Sequence, residues 1–305
     1  MKVYDVLIIG GGGAGLTAAL YTSRAKLSTL LLEKLTPGGQ IALTDLVENY
    51  PGFPEGITGQ EISKRMEDQA KRYGTEILYE EVAGLGKKNG NFLVKTAGSE
   101  TLESRTVILA SGASYRNLNV SGEKELTGRG VSYCATCDGA FFKEKELVVV
   151  GGGDSAMQEG IFLTRFATKL TVVHRRDKLR ASPILQERAR NHPKIKFIWD
   201  TAVTEIVGDK KVQGVKLKNL KTGQIQDFKT DGVFIFIGHD PNTSFLKGFV
   251  DLDEKSYVKT GLKLETSVAG VFACGEVRAG AVQQLVSCCG EGCEAALAAQ
   301  AYLEH

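Results

Sequence analysis

Cys134-Ala135-Thr136-Cys137, followed at once by Asp138, is the stretch of this chain whose residue types and spacing point most directly to chemistry. A C-x-x-C pair can be a redox dithiol, half of a zinc site, or two buried thiols. Zinc needs two more ligands, ideally as a second such pair. The chain offers instead Cys274, the neighbours Cys288 and Cys289, Cys293 and four scattered histidines, so no metal is expected. The close spacing favours a reversible disulfide with one thiol of lowered pKa. Asp138 is placed either to exchange protons with the thiolates or to cap the following turn. Cys288, Cys289 and Cys293 lie in an alanine-rich run over 288–299 that reads as a core helix, where cysteine behaves as a small hydrophobe.

A redox dithiol needs a source of electrons, and the glycines indicate where one would bind. The first glycine cluster follows Val6-Leu7-Ile8-Ile9, a run suited to a buried parallel strand, and precedes a helical pattern over 16–24. Gly10, Gly12 and Gly15 stand in G-x-G-x-x-G register between the two. Glycine serves there for a tight turn, for close approach of backbone to a pyrophosphate, and for close packing of helix on strand, with the phosphates over the helix N-terminus. Residues 27–32 supply a second strand ending at Glu33, which is placed to accept hydrogen bonds from ribose hydroxyls.

The same plan recurs 141 residues later with no gap. Leu147-Val148-Val149-Val150 matches residues 6–9, and Gly151, Gly153 and Ala156 match the three glycines. Residues 170–173 fall on 29–32, and His174 falls on Glu33. Two copies in strand-turn-helix-strand context are far more specific than a lone fingerprint. They differ at the ribose position. Glu33 would repel a 2′-phosphate and suits the free ribose of FAD or NAD. His174-Arg175-Arg176, with Arg180 one turn on, forms a cationic patch suited to a 2′-phosphate. Copy one is expected to hold FAD and copy two NADPH. Beside two dinucleotide sites, a redox-active disulfide is the economical reading of Cys134 and Cys137.

Composition agrees. Glycine numbers 36 in 305 residues against a usual share of roughly 7%, an excess explained by nucleotide-binding turns. With 42% hydrophobic and 24% charged residues the chain is a packed globular protein, not a disordered or collagen-like one. Its length suggests about two domains. A formal charge of +2 is too balanced for nucleic acid or an anionic membrane as main partner. Six cysteines are too few and too unevenly placed for a disulfide-stapled secreted scaffold. Residues 6–20 are apolar but too short to span a bilayer, and they lack a basic leader and cleavage pattern. A cytoplasmic protein with no nucleic-acid or membrane partner is expected.

On these residues, and over essentially its whole length, the sequence resembles the low-molecular-weight, bacterial and archaeal type of thioredoxin reductase. The most specific match is Gly130-Val-Ser-Tyr-Cys134-Ala-Thr-Cys137-Asp138-Gly-Ala-Phe-Phe142. Next come Gly151-Gly-Gly-Asp-Ser-Ala156 with the arginine cluster, Glu48-Asn-Tyr-Pro-Gly-Phe53, Gly38-Gly-Gln-Ile41, and the return segment Ser267-Val-Ala-Gly-Val-Phe-Ala-Cys-Gly275. The resemblance implies an α/β fold of two nested Rossmann-like, three-layer ββα dinucleotide-binding domains. The FAD domain is discontinuous, 1–114 and 243–305. The inserted NADPH domain, 115–242, carries the C-x-x-C. Residues 106–113 and 232–238 would be the strands ending each half. Flavin contacts would come from Gly39, Gln40 and Asn49, from Val82, from Ala110 and Gly112, and from Gly275, Glu276, Gln283, Gln284 and Leu285. Asp154, Ser155, Ile237 and Gly238 would join the NADPH site.

The resemblance further implies a homodimer in which NADPH reduces the flavin, the flavin the disulfide, and the dithiol a thioredoxin or thioredoxin-like protein, with the domains swinging between two orientations. Cys137 would face the flavin, Cys134 would attack the partner disulfide, and Asp138 would manage protons. One departure is local. The family's usual Gly-Asp and Arg-Gln pairs are Gly275-Glu276 and Gln283-Gln284 here. Glu276 can still bond a ribitol hydroxyl, while Gln283 removes a charge near the flavin or the moving interface. A flavin-dependent dithiol oxidase, or a relative reduced by ferredoxin, would dispense with NADPH and is disfavoured by His174-Arg175-Arg176. A flavin-binding interaction module is disfavoured by the retained Cys134, Cys137 and Asp138.

Overall fold

The computed structural model describes residues 2–44 and 46–304, with Cys137 described by its backbone alone. The chain folds as two compact units, 1–114 together with 240–305, and 115–239. The return to the first unit thus falls at Asp240, three residues before the position implied by the sequence.

In the split unit, Val3–Ile9 lies between Thr29–Leu32 and Thr101–Leu109, parallel to both, and Glu76–Leu78 extends the sheet beyond Thr29–Leu32. Val271–Ala273 pairs in parallel with the end of Thr101–Leu109. The beginning of that strand pairs instead with an antiparallel hairpin, Val82–Lys88 and Asn91–Thr96. The alternation of strand side chains explains why Val6 to Ile9 is apolar without a break. Leu7 and Ile9 point into a core with Phe92, Val94 and Leu109, while Val6 and Ile8 point into another with Ala18, Ala19 and Ala295. Covered on both faces, the strand has no polar side. The layers on those faces are the antiparallel hairpin and the helices Gly13–Arg24 and Leu285–Glu304.

The inserted unit repeats the scheme. A parallel sheet in the order Ile195–Ile198, Lys169–Val173, Glu146–Gly151, Gly232–Phe236, Val131–Ser132 carries helices Asp154–Leu163 and Pro183–Asn191. The antiparallel strands Thr201–Gly208, Val212–Asn219 and Ile225–Lys229 supply its third layer. The repeat seen in sequence is kept in strand register: Val6 pairs with Thr29 and Leu147 with Leu170, each 141 residues on.

Several bounds differ from the sequence reading. The first helix begins at Gly13, so Gly13 and Gly15 sit within its first turn. The strand placed at 106–113 is Thr101–Leu109, the one at 232–238 is Gly232–Phe236, and the one at 27–32 begins at Thr29. The last helix runs beyond 288–299 at both ends, over Leu285–Glu304. No described helix is long and apolar enough to cross a membrane.

Candidate active site

Each glycine turn is built by steric exclusion. Gly10 has φ +106°, and a Cβ there would lie 2.3 Å from the Ala110 carbonyl oxygen. Gly151 has φ +153°, with the Phe236 carbonyl oxygen at the same 2.3 Å. A Cβ on Gly15 would sit 1.8 Å from the Gly10 carbonyl oxygen, so helix and turn touch backbone to backbone. Gly12 and Gly153 are different. Each precedes its helix in extended backbone with no side-chain cap, and a Cβ on either would meet nothing within 4 Å. The open space therefore lies where the unpaired helix N–H groups converge, an arrangement that fits a pyrophosphate.

Glu33 and His174 occupy equivalent places and behave unlike one another. The Glu33 carboxylate accepts hydrogen bonds from the Gly11 N–H at 2.8 Å and the Leu35 N–H at 3.0 Å, leaving lone pairs for ribose hydroxyls. His174 is 5% exposed. Its ring packs on Gly152, where a Cβ would come within 2.3 Å, and sits edge-on to Trp199. Its Nε2 lies 3.0 Å from the Lys178 carbonyl oxygen. Burial, then the nearby Arg180, Arg176 and Arg175 charges, hold its pKa below the ordinary value. In the structure His174 is thus a buried support for the turn. Arg175, Arg176 and Arg180 are exposed beside it, and Arg180 and Ala181 donate their N–H groups to the Gly152 carbonyl. Asp154 accepts the Ser182 N–H at 2.5 Å, tying the arginine loop to the helix start, where Ser155 is exposed and Ala156 is buried. Ile237 is half-buried and Gly238 has φ +112°.

In the split unit the 38–39 loop lies against the first turn. The Gly38 N–H donates to the Gly11 carbonyl at 2.7 Å, and a Cβ on Gly39 would be 3.2 Å from Gly12 Cα. Gln40 donates to the Ala113 carbonyl at 2.5 Å, and Asn49 to Gln284 Oε1 at 2.8 Å. Leu285 heads the last helix against Gly13. Ala110 is buried and Gly112 has φ +63°. Val82 is half-buried and packs on the core around Phe92. Glu276 and Gln283 line a cavity of about 230 Å³ with Asp253, Lys255, Tyr257 and Arg278. Burial pushes the Glu276 pKa up.

Sequence reasoning missed two supports. Glu291, 8% exposed, accepts the Gly275 N–H at 2.7 Å and pairs through both oxygens with Arg278, fixing the loop that carries Glu276. Asn242 binds the Ser111 carbonyl and accepts from Ser114. Only spatial proximity links these partners.

Cys134 is in a disulfide. Its N–H donates to Ser132 Oγ at 3.1 Å, and the same hydroxyl donates to the Cys134 carbonyl at 3.2 Å. Cys137 lies in the single helical turn Ala135–Asp138, and its side chain is outside the described residues. The Asp138 side chain makes no cap hydrogen bond, which removes the capping reading. Among the described residues the Thr136 hydroxyl is buried without a partner. Cys274, Cys288, Cys289 and Cys293 are free, and burial raises the first three thiols, Cys288 to about 12, so they stay protonated.

Residues 4–299 match the family model described as pyridine nucleotide-disulphide oxidoreductase. The thioredoxin reductase of Bacillus subtilis (strain 168) is 52% identical over 306 residues, covering 99% of this chain and 96% of that protein. The thioredoxin reductase of Listeria monocytogenes is 51% identical over 309 residues, covering 99% and 95%. Among solved structures, Lactococcus lactis thioredoxin reductase in its FR conformation superposes with a TM-score of 0.97 at 44% identity, covering 99% of each chain. Thioredoxin reductase of T. acidophilum gives 0.94 at 39% identity, also over 99% of each.

Proposed function

This chain belongs to the pyridine nucleotide-disulphide oxidoreductase family, and within it to the thioredoxin reductases; from that membership we propose that it reduces the disulfide of thioredoxin at the expense of NADPH. NADPH, a proton and the thioredoxin disulfide yield NADP⁺ and the thioredoxin dithiol. The observation that carries this reading is the Cys134 disulfide, at the entry to the single helical turn Ala135–Asp138, within the unit whose glycine turn opens beside three exposed arginines.

FAD would be held by the split unit, its pyrophosphate at the Gly12 helix start, one ribose at Glu33, and its remaining contacts at Gln40, Asn49, Glu276 and Gln284. NADPH would be held by the inserted unit, its pyrophosphate at Gly153 and its 2′-phosphate by Arg175, Arg176 and Arg180. A bound flavin supplies the two-electron chemistry that joins a nicotinamide to a disulfide. Once reduced, the Cys134 thiol would give its proton to Asp138 and bond to one partner sulfur, and the other partner sulfur would leave as a thiolate that takes that proton back from Asp138. The Cys137 thiolate then attacks Cys134, restoring the disulfide and releasing the second partner thiol. The protein acts as a cytoplasmic homodimer.

Three acceptors test this: NADPH oxidation followed with thioredoxin, with an artificial electron acceptor, and with oxygen alone. Thioredoxin-dependent turnover that disappears in Cys137→Ser while the artificial acceptor is still reduced supports the assignment. Absence of NADPH oxidation with all three, together with oxygen consumption on addition of a small dithiol, would point to a dithiol oxidase, and parental thioredoxin reduction by Cys137→Ser would sink the role given to that residue.

A further inference from the structure

Glu123 is the carboxylate that the chemistry above leaves unused. It is 4% exposed, within the inserted unit, and a buried carboxylate persists only when its oxygens are bonded. Here Oε1 accepts the Leu118 N–H at 2.8 Å, and Oε2 accepts the N–H groups of Asn119 at 2.6 Å and Val120 at 3.4 Å. Asn119 adopts φ +58°, a bend that brings successive N–H groups to one acceptor. These bonds close the 118–123 loop by themselves. A fourth bond leaves the loop: the Tyr133 hydroxyl donates to Oε1 at 2.6 Å. Tyr133 directly precedes Cys134, and its ring is stacked on Tyr115, with centroids 6.3 Å apart and planes at 23°. Burial and the Glu123 charge raise the Tyr133 pKa, so the hydroxyl remains a donor throughout the working range of a thiol.

We propose that Glu123 and Tyr133 form a buried clamp that fixes the chain entering the C-x-x-C turn and so sets how readily the Cys134 disulfide closes. The proposal rests on the redox reading of Cys134 given above, and both residues are positioning residues. The side chain of residue 133 is held at its tip by the carboxylate and along its ring by Tyr115, and the Ser132 hydroxyl holds the N–H and carbonyl of residue 134. Backbone freedom before Cys134 is thereby removed in advance. Freedom restored there benefits the open dithiol more than the closed ring, because the disulfide already restrains the turn. A loosened clamp lowers the effective concentration of one thiol toward the other.

Tyr133→Phe is the cleanest perturbation, since it deletes one hydroxyl and leaves the three N–H bonds to Glu123. The full-length flavoprotein is equilibrated with mixtures of reduced and oxidised dithiothreitol. The dithiol gives two electrons and two protons to the cyclic disulfide, so the reagent ratio reads the closure constant directly. Quenched samples are alkylated, and the peptide containing residue 134 is quantified by mass spectrometry, which separates it from the four other thiols. Tyr133→Phe is expected to lower the closure constant about tenfold, equivalent to a potential ~30 mV less negative. Glu123→Gln, which turns an amide N–H toward backbone N–H donors, is expected to shift it the same way at least as far, and decides the matter should Tyr133→Phe not fold. A closure constant equal to the parent's, with or without a lowered melting temperature, overturns the clamp. If the parent itself shows no titratable pair at residue 134, the proposed function fails instead, so the two failures are distinguishable.

Discussion

Replacement of Gly12 by alanine separates binding from folding, because of where its missing Cβ would point. Gly12 has φ −72° and ψ −175°, extended backbone open to any residue, and the added methyl would have no protein atom within 4 Å. Alanine is a poorer N-cap than glycine, but it narrows the unfolded ensemble; the two effects oppose each other, leaving a change within about 0.5 kcal/mol. The methyl would nevertheless stand over the helix N-terminus proposed to hold the FAD pyrophosphate. Displacing a phosphate oxygen from one or two of those N–H groups forfeits ~1.5–3 kcal/mol for each bond to a charged group. At 1.4 kcal/mol per decade the loss is on the order of 10-fold for one weak bond to 20,000-fold for two strong ones in Kd. Apoprotein is titrated with FAD by flavin fluorescence, and circular dichroism with thermal melting reports the fold. Gly153→Ala, at φ −96° with the same open surroundings, is the matched control: FAD should be retained while the KM for NADPH rises. Gly15→Ala marks the other extreme, since its Cβ would lie 1.8 Å from the Gly10 carbonyl oxygen and the split unit should lose stability outright. A Gly12→Ala protein that melts like the parent and binds FAD with parental affinity would refute the placement of the phosphate.

The paired substitution Arg175→Ala and Arg176→Ala should lower the preference for NADPH over NADH by roughly 10- to 100-fold in kcat/KM, from the loss of charge-assisted bonds to a 2′-phosphate, with FAD content unchanged. Breaking the buried Arg278–Glu291 pair with Glu291→Ala should destabilise the split unit by ~3–5 kcal/mol in denaturant titrations, because the guanidinium is left inside without its partner. His174, whose folded-state pKa lies below the ordinary 6.5, gives a pH signature. Between the two values the unfolded chain binds a proton that the folded one refuses, so stability is full above 6.5 and declines as the pH falls through and below it. His174→Asn should remove that part of the acid slope in melts of the protein, and an unchanged slope would show that another group carries it.

The sequence by itself determined what is local in cause. Unbroken apolar runs, glycines at turn positions and a shift of 141 residues are legible in the order of residues, and the folded chain keeps them as strand pairs Val6 with Thr29 and Leu147 with Leu170. The arginines and the C-x-x-C were legible for the same reason, since their chemistry resides in residue type and spacing. Tertiary structure decided which of these groups faces outward. Glu33 and His174 hold equivalent places, yet the carboxylate keeps lone pairs free at the turn while the imidazole is packed between Gly152 and Trp199. It also decided the supports. Glu123 sits in a charged stretch that reads as surface, and Glu291 sits in a helix far along the chain from Gly275. Each becomes a buried acceptor only because other segments fold over it and bring their N–H groups within bonding distance. Burial and long-range pairing are settled by what packs from elsewhere, and no pattern confined to neighbouring residues encodes that.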